Sequence, residues 1–137
     1  ISPDGTKLVT HATSEVRGQS HDIYVVDLAT GEDVRVDATG SADDFEPYWS
    51  PDSSRIVFTS WAVEPQPVLY DVASGEVTRI DMPLYVLGWS PDGGSIIGDR
   101  PAGTLHMVDV TDPSAPVTTP LEVVADAEWP TWQPRSE

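Results

Sequence analysis

The sequence predicts an all-β chain made of repeated four-stranded antiparallel units, and three observations carry that prediction. The first is a returning tetrapeptide: Ile1-Ser2-Pro3-Asp4, then Trp49-Ser50-Pro51-Asp52, then Trp89-Ser90-Pro91-Asp92, with a worn copy at Trp132-Gln133-Pro134. Its copies stand roughly 40–48 residues apart, the length of four short strands and their turns. The second is a landmark that travels with it. Val26-Asp27-Leu28-Ala29-Thr30-Gly31-Glu32 matches Tyr70-Asp71-Val72-Ala73-Ser74-Gly75-Glu76, and Val108-Asp109-Val110 opens a third copy that diverges into Thr111-Asp112-Pro113-Ser114. The third is punctuation: 13 prolines and 10 glycines separate short β-rich runs, and no stretch sustains a helical period.

The elements follow in order. Ser-Pro-Asp-Gly suits a tight turn, because Pro pre-sets φ, Asp bonds the backbone and Gly accepts positive φ. Behind each turn runs a strand: Lys7-Leu8-Val9-Thr10, Arg55-Ile56-Val57-Phe58-Thr59 and Ser95-Ile96-Ile97. Neighbouring residues in these runs are both apolar, as expected of a sheet packed on both faces. Asp22 to Val26, Pro67 to Tyr70 and Leu105 to Val108 form the next strands. Asp33 to Val36, Val77 to Ile80 and Val117 to Val124 form the last.

Such units stack as the blades of a β-propeller, so the prediction is a fragment of about three four-stranded antiparallel blades. Residues 6–37 supply the outer three strands of a first blade, 45–81 a second, 85–124 a third, and 127–132 a terminal innermost strand. Closed propellers typically have four to eight blades. The remaining blades are expected in a parent chain, or in a second copy.

Composition narrows the function classes. Hydrophobic residues at 39% and charged residues at 22% fit a folded domain. The net charge of −16 repels phosphate backbones and anionic lipid, so no nucleic-acid partner is expected. No apolar run approaches a membrane span, so no membrane insertion by this segment is expected. The absence of Cys removes disulfides, thiolate metal sites and a Cys nucleophile.

The stretches Pro47-Tyr48-Trp49-Ser50-Pro51-Asp52, Ile23-Tyr24-Val25-Val26-Asp27 and Pro130-Thr131-Trp132-Gln133-Pro134 resemble the TolB-like β-propeller repeat, which is related in architecture to WD repeats. The resemblance covers almost the whole chain. Ser53 departs from it at the turn glycine, and Gln133 and Arg135 depart from it in the last copy. It implies the blade fold and two kinds of role. One is a bacterial protein-binding platform, periplasmic, cell-surface or secreted, although the cytoplasm also fits the Cys-free composition. The other is the substrate-gating propeller of a prolyl-oligopeptidase-like serine peptidase. The family also implies that Asp44, just ahead of Pro47-Tyr48-Trp49, braces the turn into an innermost strand.

No catalytic residues are assigned. Gly-x-Ser-x-Gly is absent. His11 shares a register slot with Thr59 and Asp99, and His106 shares one with Tyr24 and Val68, so both are expected to fill structural positions. His21-Asp22 lacks zinc-type spacing. Asp43-Asp44-x-Glu46 is rich in oxygen but lacks an EF-hand pattern, so no metal and no cofactor are expected. Trp49, Trp89 and Trp132 occupy one repeat slot and read as core anchors. Trp61 stands outside it, near a loop, and Trp129 is unassigned.

A binding surface is easier to place. In an antiparallel meander the first and third turns of each blade share one face, and these are short and uniform here. The other face collects the variable connections 13–20, 62–66, 100–103 and 38–44. Variable loops on a rigid scaffold are where binding residues concentrate. The expected contact residues for a protein or peptide partner are Glu15, Arg17, His21, Asp43, Asp44, Glu46, Trp61, Glu64, Tyr85, Asp99 and Arg100.

Overall fold

The Ser-Pro-Asp turn is a closed hydrogen-bond circuit, and it explains why the motif returns. The computed structural model describes residues 1–13, 20–36, 40, 42–100 and 103–121. In the second blade the Ser50 hydroxyl donates to Asp52 Oδ1 at 2.7 Å and accepts from the Arg55 amide at 2.8 Å. Asp52 Oδ1 also accepts from the Ser54 amide at 3.0 Å. Ser2 with Asp4, and Ser90 with Asp92, repeat the circuit. The three serines are buried with their hydroxyls satisfied, so they are structural parts. The following position has positive φ: 75° at Gly5, 64° at Ser53 and 71° at Gly93. Ser53 therefore tolerates a conformation that glycine takes freely.

The strands run as antiparallel meanders. β1 (Lys7–Thr13), β2 (His21–Asp27) and β3 (Asp33–Val36) form a three-stranded sheet. β4 (Asp43–Trp49), β5 (Arg55–Trp61), β6 (Pro65–Asp71) and β7 (Val77–Arg79) form a four-stranded sheet. β8 (Tyr85–Trp89), β9 (Ser95–Arg100), β10 (Thr104–Asp109) and β11 (Val117–Pro120) form another. Among the described residues there is no helix, hence none that is long and apolar enough to cross a membrane. The terminal strand expected over 127–132, with Trp129 and Trp132, lies outside the described residues.

Two boundaries differ from expectation. β4 starts at Asp43, ahead of the expected blade edge at 45, because Asp43 and Asp44 continue the ladder opposite Trp61 and Ser60. Pro65 and Gln66, expected in a loop, pair with Trp61 and Ser60 from the other side as the start of β6. The ladder breaks after Phe45, where Glu46 adopts a φ of 54° within a bulge. A bulge places an extra residue in one strand and re-aims the side chains around it.

The sheets pack face to face, and each seam has its own core. Ile23, Val25 and Val36 of the first blade meet Ile56, Phe58, Val68 and Tyr70 of the second. Val57 and Leu69 of the second blade meet Val86, Trp89, Ile96 and Val108 of the third, with Ile80 and Leu84 between. Neighbours on β5 thus point into different cores, which is why its sequence is apolar without alternation. Burying Phe58 completely contributes about 2–3 kcal/mol.

Candidate functional site

The two faces of the assembly differ in what their polar groups are doing. On the turn face the side chains are engaged locally. Asp27 Oδ1 accepts from the amides of Ala29 and Thr30, and Asp71 Oδ1 from those of Ala73 and Ser74. Gly31 and Gly75 close these turns at positive φ. Hydrogen bonds hold the carboxylates ionised: the Ser50 hydroxyl above all, then Ser54, bring Asp52 down to about 2. Asp71 is lowered chiefly by the Ser74 amide, and Asp4 chiefly by the Ser2 hydroxyl.

The connection face presents more open chemistry, gathered in three groups. In the first, His21 meets Asp43: backbone N and Nδ1 both approach Asp43 Oδ1, at 2.7 and 2.9 Å. The His11 ring stands edge-on to His21 at 5.5 Å. Asp22 points the other way; its side chain is 1% exposed and pairs with Arg35 at 3.1 Å. His21 and Asp22 are therefore not a joint ligand pair. Asp44 is fully buried and engaged with neighbouring groups, which suits the bracing role. Among the described residues, no three His, Cys, Asp or Glu side chains converge on a point that suits a metal ion.

The second group is aromatic. Trp61 lies 5.3 Å from Tyr85 of the third blade and 6.5 Å from Phe45 on its own sheet, ring centre to ring centre. Its indole is 41% exposed, and nearby Val63 is 92% exposed. Glu64 is exposed in the connection that follows Trp61, and Glu46 is exposed at the bulge in the middle of β4. Burial and, to a lesser degree, the Glu46 charge raise the Tyr48 phenol above its ordinary value.

The third group is Asp99, Arg100 and His106. Asp99 and Arg100 are half-buried, and Asp99 Oδ1, Arg100 Nε and His106 Nδ1 have no hydrogen-bond partner among the described residues. Burial, aided by the Arg100 charge and partly offset by Asp99, lowers the His106 imidazole below its ordinary value.

The expected contact residues thus separate. His21 and Asp43 touch, Trp61 and Tyr85 touch, and Asp99 and Arg100 stand with His106. Asp44 is withdrawn, while Glu46 and Glu64 are exposed. Glu15 and Arg17 lie outside the described residues. Two participants escaped the sequence reading. Phe45 stands two positions beyond Asp43, and so on the same strand face, which was a usable signal. Val63 is the one large apolar residue inside its connection. The positive φ of Glu46 had no sequence signal, since a residue before proline favours extended backbone.

Successive antiparallel meanders packed face to face, the middle one covered on both faces by its neighbours, define a class: these are the blades of a β-propeller. Solved structures agree. TolB from Acinetobacter baumannii superimposes with a TM-score of 0.67 at 21% identity, over 89% of this chain and 31% of that one. The β-propeller domain of Myceliophteria thermophila Cps50 (Swd1) does so at 0.65 and 17%, over 92% and 38%. The acylaminoacyl peptidase of Pyrococcus horikoshii does so at 0.58 and 16%, over 83% and 23%. The chain spans well under half of each of these proteins, and at such identities the likeness establishes the fold alone. No protein-family model and no curated protein matches the chain.

Proposed function

We propose that the chain is part of a larger propeller that serves as a non-enzymatic protein-binding scaffold, with the connection face as its binding surface. The observation that carries this reading is the contrast between the faces. On the turn face the repeated Asp side chains Asp27, Asp52 and Asp71 bond within their own turns, whereas the connection side exposes Trp61, Val63 and Glu64 on a rigid support. A periplasmic, cell-surface or secreted setting accords with the family resemblance. An innermost strand completing the first blade, and a further blade beyond the third, fit two buried polar atoms. Trp89 Nε1 donates to the Tyr48 carbonyl across a seam at 3.0 Å, while Trp49 Nε1, in the same slot, has no partner among the described residues. Likewise Thr59 Oγ1 accepts from the Val86 amide across that seam at 3.0 Å, while Asp99 Oδ1, in the same slot, has no donor among the described residues.

Crosslinking and pull-down with the full-length parent protein test the reading. A specific partner is expected, lost when connection-face residues such as His21 or Glu64 are substituted and retained when turn residues such as Thr30 or Ser74 are. A partner that responds only to the turn substitutions sinks the assignment of the face. The superposition on a peptidase keeps a second reading in view, the gating propeller of a serine peptidase. Robust cleavage of proline-containing peptides by the parent protein would replace the scaffold reading.

A further inference from the structure

The aromatic group on the connection face has the composition of a site for one particular side chain. We propose that Trp61, held by Phe45 and Tyr85 with Asp43 opposite and Glu64 close by in sequence, receives an arginine-bearing segment of a protein partner. This deepens the scaffold reading and rests on it for the biological role of the contact.

Four observations converge. Trp61 is 41% exposed, whereas Trp89, in the repeat slot of the same seam, is 6% exposed. The exposed indole is nonetheless held in place, with Tyr85 at 5.3 Å and Phe45 at 6.5 Å, so little side-chain freedom remains to be lost on binding. Rigid aromatic anchors of this kind concentrate binding energy at interfaces.

The surroundings then select the occupant. Glu64 is exposed three positions beyond Trp61 in the connection that follows it, Asp43 pairs across from Trp61 in the ladder, and the whole chain carries −16. An apolar partner would strip water from these carboxylates without replacing it. A cation satisfies the carboxylates and the π-face together. Between the two cations, guanidinium is planar, more weakly hydrated and better suited to stacking than ammonium. Val63, 92% exposed, offers apolar surface for the residue next to the arginine.

The molecule already contains the contact in miniature. Arg55 lies over the Trp89 ring at 5.0 Å, with its guanidinium also donating to the carbonyls of Gly93 and Val110. Trp61 offers the same chemistry toward the outside.

The test uses the full chain, labelled with ¹⁵N, and a capped Gly-Arg-Val-Arg-Gly peptide, with versions carrying lysine or neutral citrulline in place of arginine. The Trp61 indole resonance, assigned with Trp61→Phe, is expected to move saturably with the arginine peptide. Citrulline is expected to weaken binding roughly 10-fold and lysine by less, in line with a desolvated cation–π contact. Trp61→Ala is expected to weaken it by a similar factor, while Trp61→Phe retains part of the affinity. Raising the ionic strength is expected to weaken it further. A static Trp61 resonance, equal binding of the citrulline peptide, or unchanged affinity in Trp61→Ala overturns the proposal. Its failure is separable from that of the scaffold. If Trp61→Ala still captures the crosslinked partner, the scaffold stands without this contact. If the peptide moves Trp61 but the parent captures no partner, the contact stands without the scaffold.

Discussion

The seam between the first and second blades and the seam between the second and third use the same repeat slots with different chemistry. At the second seam, Arg55 reaches forward to the Gly93 carbonyl at 2.9 Å and the Val110 carbonyl at 3.2 Å while lying over Trp89. Trp89 in turn donates to the Tyr48 carbonyl. At the first seam, the slot of Arg55 holds Lys7, which turns back to Asp27 within its own blade at 3.1 Å. The slot of Trp89 holds Trp49, whose Nε1 is without a partner among the described residues. The first seam relies instead on the His21–Asp43 contact and on the Asp4 amide donating to Ser53 Oγ at 3.1 Å. A repeat therefore sets the places where blades meet, and the residue in each place decides how firmly they hold.

The largest expected effect bears on the second seam. A Cβ on Gly98 would come within 2.5 Å of the Leu84 side chain and of the Tyr85 carbonyl oxygen. The backbone oxygen cannot rotate away, so Gly98→Ala should cost about 3 kcal/mol in urea unfolding. Arg55→Ala comes next, at about 2 kcal/mol, from its charged hydrogen bonds and its stacking. Lys7→Ala, which removes a pair with both side chains about one-third exposed, should cost under about 1 kcal/mol. Equal losses at Arg55 and Lys7 would break the comparison.

The tryptophans sharpen it. Trp89→Phe should cost about 1 kcal/mol more than Trp49→Phe, because only Trp89 surrenders a hydrogen bond. In a parent protein whose innermost strand completes the first blade, that difference should shrink as Trp49 gains a partner. The smallest effect is at the first seam. Ser53→Gly relieves a positive φ of 64° but loses the bond from Asp4, leaving a gain of about 0.5 kcal/mol by thermal unfolding.

Much of the fold was legible because the repeat is a local code. Ser-Pro-Asp and Asp-x-x-x-Gly close their turns through side chains a few residues apart, so sequence spacing alone exposes them. The register slots of His11 and His106 followed from the same spacing: His11 pairs with Ile23 as Thr59 pairs with Pro67 and Asp99 with Leu105. Within the candidate site, sequence spacing reached only the end of each strand. Trp61, Tyr85, His21 and Asp43 were expected on one rim, but which of them touch was not.

The amino-acid order by itself determined the turns, the strand period and the acidic, cysteine-free surface, since each depends on neighbours along the chain or on a total. Only the tertiary structure decided that Asp44 is buried while Asp43 bonds His21, that Phe45 and Tyr85 support Trp61, and that Arg55 clamps a seam where Lys7 does not. Those outcomes depend on the distance between side chains of different blades, brought together by packing two apolar cores rather than by any local signal.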